Sequence, residues 1–281
     1  MPFMSKEMRL HFHNAVGYLT FPMLDELPFV RHAFSTRTGG VSTGEFSSMN
    51  LSFGRGDKEE NVLRNYQLFC NAAGFDYNGL VASAQDHNTV VRRVGAAERG
   101  IGIWRPRDKT SVDALITDEP GIVLVTYYAD CVPLYFVDPV RRAIGLAHAG
   151  WRGSLNRIGA RTVEEMQRQF GSNPGDIVAA IGPSIGPCCY EVDEPVAAQF
   201  GGLSDLQPDA FLHPRPERPG KYLLDLWEEN RRVLLAAGIA PQKITVTDVC
   251  SCCNSGLLFS HRATGGKRGG MAAMMSLQPD V

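Results

Sequence analysis

Two imidazoles and a thiol stand beside apolar runs: His87 in Gln85-Asp86-His87, Cys131 in Ala129-Asp130-Cys131, and His148 in Ala147-His148-Ala149-Gly150-Trp151-Arg152-Gly153. Each sits at the edge of an expected strand, where the ladder fixes the backbone and the side chain can point into a cleft. Together they would make a three-ligand zinc site with the fourth position open, the arrangement of catalytic zinc. Such a centre polarises a bound group and lowers the pKa of water. The three positions match no compact zinc-ligand spacing, so two other readings stand beside this one. Cys131 and His148 could form a nucleophile pair, the imidazole raising the thiolate fraction as in a thiol hydrolase. They could equally be a buried histidine bonded to a backbone carbonyl and a small core residue.

A second group of candidates is glycine-rich turns beside arginines: Arg37 in Ser35-Thr36-Arg37-Thr38-Gly39-Gly40, Arg152 in Trp151-Arg152-Gly153, and Arg262 in Ser260-His261-Arg262, followed by Thr264-Gly265-Gly266-Lys267. Glycine allows close backbone approach, and arginine offers a planar fork of donors to phosphate or carboxylate. None fits the P-loop or dinucleotide fingerprint, which excludes nucleoside triphosphate and NAD readings. The stretch Ile181 to Val192, IGPSIGPCCYEV, is expected to form a tight irregular loop. The cluster Cys250-Ser251-Cys252-Cys253 is too cramped for a conventional four-thiolate site and is assigned mainly to core packing.

These residues need elements to hold them. Helical periodicity marks Asp57 to Gly74, Leu155 to Gly171 and Asp225 to Gly238, each stopping at glycine. Apolar or β-branched runs predict strands at His32–Thr36, Thr89–Val94, Ala114–Thr117, Ile122–Tyr128, Leu134–Val137, Ala143–His148, Ile177–Ile181, Ile244–Val249 and Leu257–Ser260, with the tail MAAMMSL closing the sheet. Several strands follow one another without a helix between, which favours a mixed sheet or two packed sheets flanked by helices. Phe211 to Gly220, FLHPRPERPG, is expected to be a solvent-exposed connection and candidate flap, and Thr264 to Gly270 a flexible loop. No internal repeat is found, and the 281 residues are read as a single domain.

A net charge of −2 offers no basic surface for nucleic acid. No run approaches the roughly 20 apolar residues that span a bilayer, and the N-terminus lacks the apolar stretch of a secretory signal. An odd count of seven cysteines, two pairs of them adjacent, is a poor disulfide framework; the expectation is a soluble protein with free thiols in a reducing cytoplasm.

Taken in order, FSTRTGGVS, MNLSFGRGD, QDH, DALIT, ADCVPLYFVD, AHAGWRG, IGPSIGPCCYEV, YLLDLWEEN and FSHRATGGKRGGMAAMMSL closely resemble the family labelled laccase-like or multicopper polyphenol oxidase, whose members are now read as purine nucleoside phosphorylases. The resemblance covers about Arg31 to Leu277. It implies an α/β (α+β) fold with a mixed β-sandwich in four α/β/β/α layers. It also implies zinc held by His87, Cys131 and His148, the positions that match the family's QxH, ADC and HAGWRG elements. The activities it implies are phosphorolysis of adenosine, inosine and S-methyl-5′-thioadenosine, with adenosine deamination at the same site. Lys267-Arg268-Gly269-Gly270 departs from the family's TGR-like element, and no acidic residue follows Ser260-His261-Arg262.

Phosphorolysis needs phosphate placed beneath the sugar C1′ and stabilisation of the leaving purine. Arg37, Arg152 and Arg262 are the expected clamps for phosphate or substrate, with Asn50 a polar positioner. Deamination needs an activated water at purine C6 and an acid to shuttle protons, for which Asp130 or Glu191 is the candidate. A copper oxidoreductase is the rival in another class. Multicopper sites need about ten histidines, and this chain has seven.

Overall fold

The computed structural model describes residues 3–107 and 110–279. Its centre is two six-stranded sheets. Edge to edge, the first contains β1 (Arg9–His13), β2 (Val16–Thr20), β3 (Val30–Ser35), β15 (Met271–Leu277), β7 (Val123–Tyr128) and β4 (Leu80–Ala82). The second contains β14 (Ile244–Val246), β10 (Val178–Ile181), β8 (Val132–Asp138), β9 (Ala143–Ala149), β6 (Ala114–Thr117) and β5 (Val91–Arg93). A small third sheet joins β11 (Glu191–Asp193), β13 (Lys221–Leu224) and β12 (Leu212–Pro214). The helices are α1 (Pro22–Asp25), α2 (Glu59–Ala73), α3 (Trp151–Leu155), α4 (Ile158–Phe170), α5 (Glu194–Gly201), α6 (Leu226–Ala236) and α7 (His261–Thr264).

Three apolar layers fix the stacking. Val62, Tyr66 and Phe69 of α2 pack on Ala33, Val123 and Met274 of the first sheet. Phe34, Leu124 and Met275 on its other face meet Leu115, Tyr135 and Leu146 of the second. The far side of the second sheet, with Leu134, Phe136 and Ala147, is covered by Met166 of α4 and Val233 of α6. Both sheets are therefore buried on both faces, which is why their strands read as continuous apolar runs. The order is α/β/β/α, as the resemblance implied.

The segment expected as one helix from Leu155 to Gly171 is divided. Arg157 adopts φ 60°, ending α3 and starting α4. Gly171, at φ 67°, stops α4, and Asp225 caps α6 by accepting the N–H groups of Trp227 and Glu228. Leu257–Ser260 is not a strand. Leu257 and Leu258 both donate to the Asn254 carbonyl in a turn, and Leu258 and Phe259 are buried there, so an apolar run here signals burial rather than a ladder. The tail MAAMMSL is β15, a central strand antiparallel to both β3 and β7.

The proline-rich stretch is largely exposed, as expected, and contributes to the β12–β13 hairpin, with Arg215 N–H on the Lys221 carbonyl at 2.9 Å and Phe211 buried. The stretch expected to be a flexible loop through Gly270 is anchored at its end, where Gly269 and Gly270 are buried and the Gly270 N–H donates to Asn50 Oδ1. No helix among the described residues is long and apolar enough to cross a membrane.

Candidate metal centre and anion pocket

β6, β7 and β9 bring the site together where the two sheets meet. Tyr128, the last residue of β7, donates its hydroxyl to the Ala147 carbonyl of β9 at 2.9 Å, tying the sheets together one residue before His148. Asp113, immediately before β6, is fully buried and organises two of the three ligands. Its carboxylate accepts the N–H groups of Asp86, His87 and Asn88, each at 3.0 Å, and so holds the turn in which His87 takes φ 61°. The same carboxylate lies 2.8 Å from His148 Nδ1. That contact fixes the ring and leaves Nε2 as the ligand atom, the carboxylate–histidine arrangement usual behind a metal. Asp130 adopts φ 85° just before Cys131. Two left-handed non-glycine residues at the ligands are local strain of the kind concentrated at functional sites.

One ligand atom from each of His87, Cys131 and His148 lies within 4.8 Å of the others. A Cβ on Gly150 would come within 2.4 Å of His87 Nδ1 and 3.3 Å of Cys131 Sγ, so only glycine leaves room for this convergence. Burial, with some help from His148, holds the His87 pKa below its ordinary value and keeps the imidazole neutral. Burial would also lower His148, but the Cys131 thiol and Asp113 outweigh it and push its pKa up to about 9. For Asp113, too, burial is outweighed. The bonds from His148 and the backbone N–H groups hold its carboxyl below the usual range. Two oriented imidazoles and a thiol with a carboxylate behind one ring suit a soft divalent ion such as zinc.

The ligands line a cavity of about 350 Å³. Its remaining wall carries Arg55, Arg107 and Arg268, with Gln85, Tyr127 and Phe53. Arg107 lies over the Tyr127 ring at 5.4 Å. Arg268 is buried and its Nε has no hydrogen-bond partner among the described residues. Burial and the neighbouring Arg55 push its pKa down to about 10. Burial and the charge of Arg107 likewise lower Arg55. Three guanidinium groups share this space, and one of them keeps an unmet donor among the described residues, which is a chemistry that favours an anion. A larger groove of about 940 Å³ beside the N-terminal strand, lined by Met8, Phe12 and Asp248 among others, has no such convergence.

The other residues singled out from the sequence do not line this cavity. Arg37 donates to the carbonyls of Ser47 and Ser255 and stacks on Phe259, so its fork is spent on backbone. Asn50 bonds Asp57, Ser52 and Gly270, which positions the Arg55 and Arg268 loops rather than a ligand. Arg262 donates its guanidinium to the carbonyls of Cys189 and Glu191, and its N–H to Asp130 Oδ2. Asp130 also accepts the Ser251 hydroxyl, and Glu191 is paired with Arg215 and Arg218. Arg152 sits on the first turn of α3 over Trp151, near enough to lower His87. Arg55, Arg107, Arg268 and Asp113 were not singled out. The arginines lie in polar loops that read as solvated, and Asp113 looks like an ordinary residue ahead of a strand.

The two-sheet α/β/β/α fold thus carries a His-Cys-His cluster that shares one cavity with three arginines. The family described as multi-copper polyphenol oxidoreductase laccase matches residues 31–278, and the chain belongs to it. It is similar to "Purine nucleoside phosphorylase YlmD" of Geobacillus stearothermophilus, 40% identical over 86% of this chain and 88% of that protein. It is also similar to "Adenosine deaminase RL5" from an unknown prokaryotic organism, 35% identical over 86% of this chain and 94% of that one. The crystal structure of a Bacillus licheniformis hypothetical protein, YfiH, superposes with a TM-score of 0.88, covering 97% of this chain and all of that one at 36% identity.

Proposed function

We propose that this chain is a zinc-dependent purine nucleoside phosphorylase that cleaves adenosine, inosine and S-methyl-5′-thioadenosine, with adenosine deamination at the same centre. The observation that carries phosphate is the trio Arg55, Arg107 and Arg268 lining the same cavity as His87, Cys131 and His148. His87, Cys131 and His148 would hold the zinc, which supplies Lewis-acid polarisation of a substrate group when bound. The guanidinium trio binds and orients phosphate, and offsets the charge that phosphate carries into a half-buried space. A phosphate oxygen forms the new bond to C1′ while the bond from C1′ to the purine nitrogen breaks, and the base leaves with the proton that hydrogen phosphate gives up. Arg152, on the first turn of α3 and near His87, would meet the nucleoside. Asp130 and Arg262 act as positioning residues, because their polar atoms brace the loop that presents Cys131.

Support for zinc over copper chemistry comes from the histidines. Besides the two ligands, none of the others joins a ligand cluster among the described residues, and His32 is used to accept the Phe21 N–H at 2.7 Å. A second reading has a specific observation behind it: the line from Cys131 through His148 to Asp113 resembles a thiol hydrolase relay. His87, converging on the same thiol, favours the metal. Chelation separates the two, because the hydrolase survives loss of metal and the phosphorylase does not.

The test is Arg268→Met assayed for adenine release from adenosine across a phosphate titration. The expected result is a rise of about 10-fold or more in the KM for phosphate, with a smaller change in the KM for adenosine. Equal effects on both substrates, or none, would remove phosphate from the arginine wall.

A further inference from the structure

A second group of potential ligands lies outside this cavity. Cys188 and Cys189 follow β10, and Cys250 and Cys253 follow β14; because β10 and β14 pair in parallel, the two loops emerge side by side and are joined by a bridge between Ser184 and Cys250. The four thiols converge so that their sulfurs all lie within 4.8 Å of one another, with Cys253 Sγ 3.5 Å from Cys188 Sγ and 3.4 Å from Cys189 Sγ. Cys188 and Cys253 are exposed, which corrects the assignment of the Cys250–Cys253 stretch to core packing. The crowding seen in the sequence is relieved because two loops, not one, supply the set.

We infer that Cys188, Cys189, Cys250 and Cys253 bind a single zinc ion as a closed four-thiolate structural site. Zinc–sulfur bonds of about 2.3 Å in a tetrahedron put sulfurs roughly 3.8 Å apart, which these positions reach with small adjustments. An iron–sulfur cluster spreads its cysteines over several iron atoms and needs a wider cage. Cys250-Ser251-Cys252-Cys253 supplies the two-residue spacer common in zinc knuckles. The Gly186 N–H points at Cys250 Sγ from 3.2 Å, a donor that suits a ligating thiolate. Four thiols this close cannot all ionise without a cation among them, and zinc entry displaces their protons.

The place of the site gives it a role. Arg262 donates to the Cys189 carbonyl at 2.9 Å, Ser251 donates to Asp130 Oδ1 at 2.6 Å, and the Ile185 N–H donates to the Asp130 carbonyl at 2.9 Å. Both cysteine loops therefore close on the residue before Cys131. An ion between them pins the loops that set the position of that ligand, while having no open coordination site for substrate.

The test is metal content of the full chain, purified under reducing conditions without chelator. Wild type is expected to carry two zinc ions, Cys131→Ser one, and Cys188→Ser/Cys253→Ser one. Cobalt exchanged into Cys131→Ser should show an intense thiolate-to-cobalt charge-transfer band, and this readout leaves all four cysteines in place should the double variant fold poorly. If Cys131→Ser holds no metal, if its cobalt form lacks the thiolate band, or if protein alkylated at lysis shows a disulfide from Cys253 to Cys188 or Cys189, the site is not a zinc site.

Discussion

At the residue scale, the proposed metal centre would depend on groups that do not themselves ligate. Asp113 accepts three backbone N–H groups and the His148 ring, so Asp113→Asn keeps the volume but loses the charge that orients the imidazole. Zinc affinity is expected to fall about 10- to 100-fold in a chelator competition, with the fold retained; unchanged affinity would show that Asp113 only organises the turn. Gly150 has φ −68°, a conformation open to any residue, so Gly150→Ala carries no backbone penalty. Its Cβ would instead push His87 aside, and metal content and turnover should be lost while the melting temperature changes little. Turnover at the wild-type rate would place the metal elsewhere. The three ligands were legible because the motifs around them are specific, although their spacing alone left other readings open. The anion wall was not, because an arginine in a loop looks the same whether it faces solvent or a cavity. Arg37 and Arg262 carried the expected glycine neighbours, yet their guanidinium groups serve backbone carbonyls.

At the element scale, α6 carries an unusual burden. Glu229 is fully buried on its inner face and neither carboxyl oxygen has a hydrogen-bond partner among the described residues. Burial pushes its pKa up to about 8 from an ordinary 4.5. The folded chain thus holds a proton that the unfolded chain releases above pH 4.5, so this stabilising contribution is complete below that pH and is lost as pH rises through about 8. Glu229→Gln should remove a decline of about 5 kcal/mol across that window, seen as a flatter dependence of urea midpoint on pH. A wild-type stability that does not fall over the same range would mean the carboxylate finds solvent. Periodicity located α2, α4 and α6 and the central strands well, since strands covered on both faces are unbroken apolar runs. It missed β1 and β2, a hairpin whose first strand, Arg-Leu-His-Phe-His, is largely exposed and mixes polar and apolar residues without a clear period. It also misread Leu257–Ser260, where the apolar residues fill the core from a turn.

At the scale of the whole molecule, the two sheets join around one shared apolar layer, and the cavity lies near the Tyr128 to Ala147 bond that links β7 of one sheet to β9 of the other. Ligands come from the ends of strands in the second sheet and from the turn held by Asp113, while the arginines come from loops around residues 55, 107 and 268. The parts are separated widely in sequence, which is why the spacing of the ligands alone matched no compact pattern and the order of motifs along the whole chain did. Composition could not foresee a local concentration of positive charge in a chain whose formal charge is −2.

Phosphate as a reactant is what most directly separates a phosphorylase from a hydrolase at this site. Purified, zinc-loaded protein incubated with adenosine should release free base only when phosphate is present and form ribose 1-phosphate, by phosphorus NMR, equal to adenine and hypoxanthine together, and Cys131→Ser should abolish these products. Adenine appearing at the same rate without phosphate, or with ribose as the sole sugar product, would contradict the phosphorylase reading.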